Sequence, residues 1–147
     1  MKTTSNILTV LSALFISILF VSCDNCIVSA DKLPNSAKSF LEEYFPGNAI
    51  SYVKKDRELT GTTYEVVLQD GTEIDFNAKG EWDNVDCKRS AVPSALVPAA
   101  IADYVQSNFP GQIIVKVDKE IYGYEIELGS DLELKFDNNG KLINVDD

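Results

Sequence analysis

The hydrophobic positions of this chain follow two periods in turn, and the sequence runs through both periods twice. In residues 33–45 and again in 97–109, apolar side chains recur at every third or fourth position, which predicts an amphipathic helix in each segment. Pro46-Gly47 and Pro110-Gly111 end these segments, because a proline drives the preceding residue out of helical space and glycine accepts the turn that follows. The pattern therefore predicts two short helices of similar design.

After each predicted helix, apolar and polar residues alternate, which predicts strands with one buried face. The apolar positions are Val53, Tyr64, Val66, Leu68, Ile74 and Phe76 after the first helix, and Val115, Val117, Tyr124, Ile126, Leu128, Leu132, Leu134 and Phe136 after the second. Asp70-Gly71, residues 77–80 and residues 137–140 are turn signals between the strands. Short hairpins join antiparallel strands, so the pattern predicts an α+β protein whose antiparallel sheet carries its helices on one face.

Residues 33–87 and 97–147 contain the same motifs in the same order. Leu33-Pro34, Tyr64-Glu65-Val66, Glu73, Phe76, Gly80 and Asn84-Val85-Asp86 recur as Val97-Pro98, Tyr124-Glu125-Ile126, Glu133, Phe136, Gly140 and Asn144-Val145-Asp146. We interpret these stretches as two tandem helix-plus-four-strand repeats that share one sheet, with a linker over residues 88–96. A unit of about 50 residues buries little apolar surface by itself, so we expect residues 33–147 to form one domain with a common core.

Residues 1–23 have the pattern of a secretory signal. Lys2 precedes an apolar run over residues 7–21, which is shorter than the roughly 20 residues of a membrane span, and no second run of that length follows. Residues 20–23, Phe-Val-Ser-Cys, resemble a bacterial lipobox, in which the cysteine becomes acylated, although Phe20 departs from the usual aliphatic residue. This interpretation makes Cys23 the lipid attachment site and residues 24–32 a short linker.

Ordinary signal cleavage after Ala30 is the alternative, because Val28-Ser29-Ala30 has small residues at the required spacing. Both alternatives predict an exported protein of the bacterial envelope, either periplasmic or tethered to the outer membrane through lipid. Neither predicts a transmembrane span after the signal is removed.

The cysteine count depends on the cleavage site. Acylation of Cys23 leaves Cys26 and Cys87, and an oxidising envelope permits a disulfide between them. Cleavage after Ala30 leaves Cys87 alone, and Cys87 is also explained as a small residue at the end of a strand.

Composition narrows the classes of function. The net charge of −10 disfavours nucleic acid, because binding phosphates requires clustered lysine and arginine. The chain has no histidine, the usual acid–base group at neutral pH, and its cysteines have no metal-ligand spacing. The turn at residues 137–140 departs from the EF-hand calcium loop, whose glycine stands at the sixth position. We therefore expect a protein that is not an enzyme, with no catalytic residue, no metal site and no cofactor.

The polar positions of the predicted strands form the exposed face of the sheet, and that face is acidic. The candidate binding residues on it are Glu65, Glu73, Asp75, Glu125 and Glu133. A solvated strand surface explains the same residues without any function. Trp82, the single tryptophan, is a further candidate as a binding hot spot, although its counterpart Leu142 favours core packing.

Taken together over residues 33–147, these motifs resemble the β-lactamase-inhibitor-like, PepSY-like domain family. The resemblance implies a fold similar to β-lactamase inhibitory protein and a binding or inhibitory role in the envelope. It transfers no inhibitory residue, because no inhibitor loop matches this chain. We therefore expect an exported, non-enzymatic binding module whose acidic sheet face contacts an envelope protein or peptide and inhibits an envelope hydrolase or peptidase. The alternative is an envelope protein that binds a small ligand or a divalent cation.

Overall fold

In the part of the chain that the structure describes, a single antiparallel sheet of nine strands organises the fold, and each strand pairs with the next one along the chain. The computed structural model describes residues 25–59 and 61–146, so Cys23 and the signal lie outside the described residues. The strands are β1 (Asn25–Val28), β2 (Ile50–Glu58), β3 (Gly61–Leu68), β4 (Glu73–Asn77), β5 (Trp82–Asp86), β6 (Ile114–Glu120), β7 (Gly123–Leu128), β8 (Glu133–Asp137) and β9 (Leu142–Asp146). Helix α1 (Asn35–Tyr44) precedes β2, and helix α2 (Ala99–Asn108) precedes β6.

Both helices lie where the apolar pattern predicts them. Each begins directly after a proline, Pro34 or Pro98, whose extended ψ angle lies outside the helix. Each ends before the Phe-Pro-Gly sequence, and the side chains buried by α1 and α2 belong to the predicted apolar stripes. The α+β class and the antiparallel sheet are confirmed.

One face of the sheet carries a continuous apolar row that crosses all nine strands. In cross-strand register it consists of Val28, Val53, Val66, Ile74, Val85, Val117, Ile126, Leu134 and Val145. Ile74 and Ile126 are completely buried within this row. The row continues without interruption from β5 to β6, so the strands after α1 and those after α2 contribute to one core.

The helices cover this apolar face in matching ways. The ring of Phe40 in α1 packs edge-on against Phe76 at 5.5 Å between centroids, and the ring of Tyr104 in α2 packs edge-on against Phe136 at 5.4 Å. Turns in the sheet approach the start of each helix closely. At Gly140, where φ is +77°, an added Cβ would lie 2.7 Å from the Cβ of Ala100, so a glycine is required there.

The connection over residues 88–96 packs against the core. Val92 and Leu96 are buried, and the Val92 amide donates a hydrogen bond to the Ile114 carbonyl at 2.8 Å. The Cys87 amide likewise donates to the Val115 carbonyl at 2.8 Å. This segment therefore connects α2 to the preceding strands without separating them.

The segment expected to be a short linker over residues 24–32 contains strand β1. Its four residues pair with β2, Asn25 opposite Asp56 and Val28 opposite Val53. The physical reason is that Val28 extends the apolar row by one strand, while β1 supplies partners for the open edge of β2. The alternation in β1 is too short to be recognised from sequence.

Candidate interaction surface

The face of the sheet opposite the helices is charged, and its side chains form two rows in cross-strand register. The central row consists of Lys54, Glu65, Asp75, Asn84, Asp118, Glu125, Lys135 and Asn144. The second row consists of Tyr52, Val67, Glu73, Asp86, Lys116, Glu127, Glu133 and Asp146. Five predicted binding residues, Glu65, Glu73, Asp75, Glu125 and Glu133, belong to these rows. We call the two rows together the open face.

A lysine near each end of the central row lies between two carboxylates. The Lys54 ammonium lies 3.0 Å from Asp56 and 3.5 Å from Glu65. Near the other end, the Lys135 ammonium lies 3.0 Å from Asp146 and 3.6 Å from Glu125. Their hydrogen bonds to Asp56 and Asp146 are the main reason that the pKa of each lysine is raised. Each lysine therefore offsets one of the two carboxylates beside it, and both margins of the open face keep a net negative charge.

Lys88, just beyond the end of β5, bridges two carboxylates of the second row. Its ammonium lies 2.8 Å from Glu73 and 2.6 Å from Asp86. Partial burial opposes the charge, but the hydrogen bonds to the two carboxylates outweigh burial and raise the pKa of Lys88. Glu73 and Asp86 are therefore held in place by a cation that follows the strand.

In the middle of the central row, Asp118 has the Lys116 ammonium at 3.6 Å, whereas Asp75 has no such partner in the ranges that the structure describes. Asp75 accepts a hydrogen bond from the Asn84 amide nitrogen at 3.2 Å and, among the described residues, has no lysine or arginine within 4 Å. Burial is the main reason that the pKa of Asp75 is raised, and the charges of Glu65 and Asp118 raise it further. Burial also raises the pKa of Asp118 despite the nearby Lys116.

Asn84 adds an unsatisfied acceptor to this centre. Its side-chain oxygen Oδ1 is buried and has no hydrogen-bond partner within the described part of the chain. Buried acceptors without a donor are rare in native proteins. The group of Asp75, Asn84 and Asp118, which we call the acidic centre, is therefore suited to a ligand that donates hydrogen bonds and carries positive charge.

Two tyrosines contact carboxylates of the central row, Tyr52 from β2 and Tyr122 from the connection between β6 and β7. The hydroxyl of Tyr52 donates to Glu65 at 3.3 Å, and the hydroxyl of Tyr122 donates to Glu125 at 3.2 Å. Both rings are more than a third exposed. Each tyrosine thus offers an aromatic surface next to a carboxylate.

Trp82 does not lie on the open face. Its ring packs against Phe40 of α1 at 6.1 Å between centroids, and the Lys119 ammonium lies 3.5 Å from the centre of the ring. A bulge in β5, opposite Asp75 and Phe76 of β4, turns Trp82 toward the helices. The structure therefore places Trp82 on the helix side of the sheet, apart from the other candidate binding residues, where it packs against the core and makes a cation–π contact.

The predicted pairing of Cys26 with Cys87 does not occur in this structure. Cys26 lies in β1, whereas Cys87 follows β5, and four strand spacings of about 4.8 Å separate these strands by roughly 19 Å. A disulfide requires Cα atoms within about 7 Å of each other. Burial raises the pKa of the Cys87 thiol to about 11, so this side chain is a protonated part of the core.

A polar groove lies where β5 and β6 meet the end of α2. It has a volume of about 590 Å³, and its lining includes basic residues, Lys88 and Arg89, and acidic residues, Glu127 and Asp131. Burial raises the pKa of Glu127. The groove borders the second row, so it adds depth to an otherwise flat surface.

Sequence reasoning missed two of the three residues of the acidic centre, Asn84 and Asp118. Asn84 and Asp118 meet because β5 pairs with β6, a contact between strands that belong to different predicted repeats. The residues Asn84-Val85-Asp86 and Lys116-Val117-Asp118 alternate alike around a buried valine, and this similarity is the signal that could have indicated the pairing.

Within residues 25–59 and 61–146, no group of three His, Cys, Asp or Glu side chains is arranged to hold a metal ion. In the same ranges, neither helix is long and apolar enough to cross a membrane.

Three solved structures share this fold. A protein from Bacteroides vulgatus, described as a "putative periplasmic protein of unknown function", is 36% identical, with a TM-score of 0.80 over 84% of this chain and 99% of its own. A second "putative periplasmic protein" from that organism is 33% identical, with a TM-score of 0.80 over 86% of this chain and 99% of its own. A "putative calcium-regulated periplasmic protein" from Bacteroides thetaiotaomicron is 33% identical, with a TM-score of 0.80 over 84% of this chain and 98% of its own.

A comparison with curated proteins found no match. The family model described as "Putative beta-lactamase-inhibitor-like, PepSY-like" matches residues 62–144, which is more than half of the chain. Because this match and the near-complete overlap with the solved structures agree, the chain belongs to the PepSY-like, β-lactamase-inhibitor-like family.

Proposed function

We propose that this chain is an exported, non-enzymatic binding module that uses its open face to bind an envelope protein. One observation carries the proposal: the helices cover one face of the sheet and leave the acidic centre uncovered on the other. Asp75, Asn84 and Asp118 together offer negative charge and an unsatisfied acceptor. A lysine or arginine side chain of the partner satisfies all three groups, because it supplies both charge and hydrogen-bond donors.

The shape of the surface favours a protein over a small molecule at the acidic centre. A specific protein interface covers about 800 Å² on each partner, which requires an extended surface. The rows provide such a surface, because they extend across the strands from β2 to β9. Tyr52 and Tyr122 add exposed aromatic rings beside the rows, and tyrosine is enriched at interfaces.

The comparisons support the same role. The family description names an inhibitor-like domain, and the three similar proteins are described as periplasmic. We extend the proposal to inhibition of an envelope hydrolase or peptidase, with residues 33–87 and 97–147 as tandem repeats in a fold similar to β-lactamase inhibitory protein. The matched packing of Phe40 on Phe76 and of Tyr104 on Phe136 supports a repeat.

We further propose that the signal ends before Cys23 and that Cys23 carries lipid. Cleavage after Ala30 would remove strand β1, which pairs with β2 and contributes Val28 to the apolar face. It would also leave the edge of β2 without a partner. Cleavage before Cys23 keeps β1 in the mature protein, so the structure of this edge supports the lipoprotein alternative.

The test is capture of partners from a native envelope extract with the full mature chain as bait. The matched variants reverse two charges each: Glu73→Lys with Glu133→Lys on the open face, and Glu42→Lys with Glu43→Lys on the exposed surface of α1. We expect one partner to be enriched by the wild-type chain and by the helix variant, and to be lost with the open-face variant.

A direct measurement then uses the purified partner. Isothermal titration should give a finite Kd for the wild-type chain and at least a tenfold weaker Kd for Asp118→Asn, because one charged contact of the acidic centre is lost. If the open-face and helix variants capture the same proteins equally, the open face is not the binding site. If the partner is a hydrolase, its turnover should fall as the chain saturates it.

A small ligand or a divalent cation is the second candidate, supported by the groove between β5 and β6 and by the similarity to a protein described as calcium-regulated. Titration of calcium chloride into the full mature chain, followed by calorimetry and thermal unfolding, tests this candidate. A bound cation should raise the unfolding temperature in proportion to saturation, and Asn84→Ala should abolish the shift if the acidic centre holds the ion. An unchanged unfolding temperature at millimolar calcium contradicts it.

A further inference from the structure

Two hairpins of the sheet end in aliphatic side chains that are fully exposed. Leu59 stands in the connection between β2 and β3, and Ile121 stands in the connection between β6 and β7. Beside Ile121, the ring of Tyr122 is also partly exposed. Neither Leu59 nor Ile121 belongs to the core or packs against it, so the fold does not explain why these positions are apolar.

Both tips point toward the same end of the sheet. In this antiparallel sheet, β3 and β7 run in the same direction, and each starts at one of these tips. The tips are separated by four strand spacings, or roughly 19 Å. We call this edge, with Leu59 and Ile121, the hairpin end.

Strand β1 also starts at the hairpin end, because it runs parallel to β3. Asn25 lies opposite Asp56, three residues before Leu59. Only Asp24 stands between Asn25 and Cys23 in the sequence. Two residues extend at most about 7 Å, so an acyl chain on Cys23 would hold the hairpin end within that distance of the membrane surface.

We propose that the hairpin end rests on the envelope membrane, with Leu59 and Ile121 inserted at the boundary between headgroups and acyl chains. The proposal rests on the acylation of Cys23 proposed above. In this arrangement the strands stand upright on the membrane, and the open face remains accessible from the side. The contact is apolar because Leu59 and Ile121 form it, and the net charge of −10 means that anionic lipids should not strengthen it.

Lipid-borne quenchers test this orientation. The full chain, acylated in a bacterial host, is reconstituted into phosphatidylcholine vesicles that contain a brominated lipid. Each variant carries one tryptophan, Leu59→Trp, Ile121→Trp or Ser130→Trp, in a Trp82→Phe background. Ser130 is an exposed control in the turn between β7 and β8 at the opposite end of the sheet. We expect quenching at positions 59 and 121 to exceed that at position 130 at least fivefold.

Limited proteolysis of the wild-type chain gives a second readout that needs no substitution. Arg57 lies next to the tip with Leu59, whereas Arg89 follows β5 at the opposite end. Trypsin added outside the vesicles should cut at Arg57 at least fivefold more slowly than in detergent, while cutting at Arg89 stays unchanged.

The outcomes separate this proposal from those on which it rests. Mass spectrometry of the N-terminal peptide reports acylation: an unmodified Cys23 overturns both the lipid anchor and the orientation. An acylated chain with equal quenching at all three positions overturns the orientation alone. A Leu59→Ser, Ile121→Ser variant that loses its protein partner, without any quenching in the tryptophan variants, assigns the tips to that partner and also overturns the membrane contact.

Discussion

Truncating one buried isoleucine in either half of the sheet should destabilise the whole molecule. Ile74 in β4 and Ile126 in β7 occupy the same apolar row, and both side chains have 0% exposure. Replacing a buried isoleucine with alanine costs about 2–5 kcal/mol, because burial is lost and a cavity remains. With a urea dependence of about 2 kcal/mol per molar, a loss of 3 kcal/mol lowers the unfolding midpoint by about 1.5 M.

The single tryptophan makes this a test of cooperativity. Trp82 packs on Phe40, so its fluorescence reports the strands that follow α1, whereas far-ultraviolet circular dichroism reports all strands. Because β5 pairs with β6, we expect Ile126→Ala to shift the fluorescence transition of Trp82 as far as the dichroism transition.

The control is Ile143→Ala, at a half-exposed position in β9, which should change the free energy of unfolding by less than about 0.5 kcal/mol. The Ile74→Ala, Ile126→Ala double variant should lose roughly the sum of the single losses, because three strand spacings, about 14 Å, separate the sites. A Trp82 transition that stays in place when Ile126→Ala unfolds the second half would refute the common core.

Three further expectations follow from single positions. Burial raises the pKa of Asp75, so its charged form disfavours the folded state. The folded state is therefore more stable when Asp75 is protonated; this gain is fully present below the ordinary pKa of about 3.9 and is lost as pH rises through the folded pKa. Asp75→Asn should therefore stabilise at pH 7 relative to pH 4 in urea titrations; an equal effect at both pH values would contradict the shift. Cys87, with a pKa of about 11, should resist iodoacetamide at pH 8 until urea unfolds the chain, and mass spectrometry of the alkylated peptide would reveal earlier reaction. Gly123→Ala should lower the free energy of unfolding by about 2–4 kcal/mol, because φ is +151° and the new Cβ would collide with the Phe136 carbonyl. The control Gly61→Ala, with φ at +137° and open space around the new Cβ, should lower it less. Equal losses in thermal unfolding would argue against the collision.

The sequence predicted best those features that depend only on neighbouring residues in the chain. Alternation around Val66 or Ile126 predicts a strand with one buried face, and the prolines before Asn35 and Ala99 mark the start of each helix. The face of the sheet also follows from alternation, which is why Glu65 and Glu133 were assigned correctly to the uncovered side.

Three features depended on contacts that no local rule contains. By alternation alone, Trp82 would share a face of the sheet with the polar residues of β5. A bulge opposite Phe76 shifts the alternation by one residue and turns the ring toward α1. Strand β1 contains four residues, and its pairing is recognised only once β2 is known to have a free edge. The distance between Cys26 and Cys87 is likewise a consequence of strand order rather than of sequence spacing.

The pairing of β5 with β6 connects the folding of this chain to its proposed function. It places Asn84 beside Asp118, so the acidic centre exists only while the strands after α1 and those after α2 form one sheet. A partner that binds this centre therefore binds the joined sheet and has no comparable site on the unfolded chain. At a partner concentration 100 times the Kd, mass action adds about 2.7 kcal/mol to the free energy of unfolding. Because the apolar row runs through the same two strands, that stabilisation should reach Trp82 and the dichroism of the whole sheet equally, which a partner bound to one half of a divided molecule could not produce.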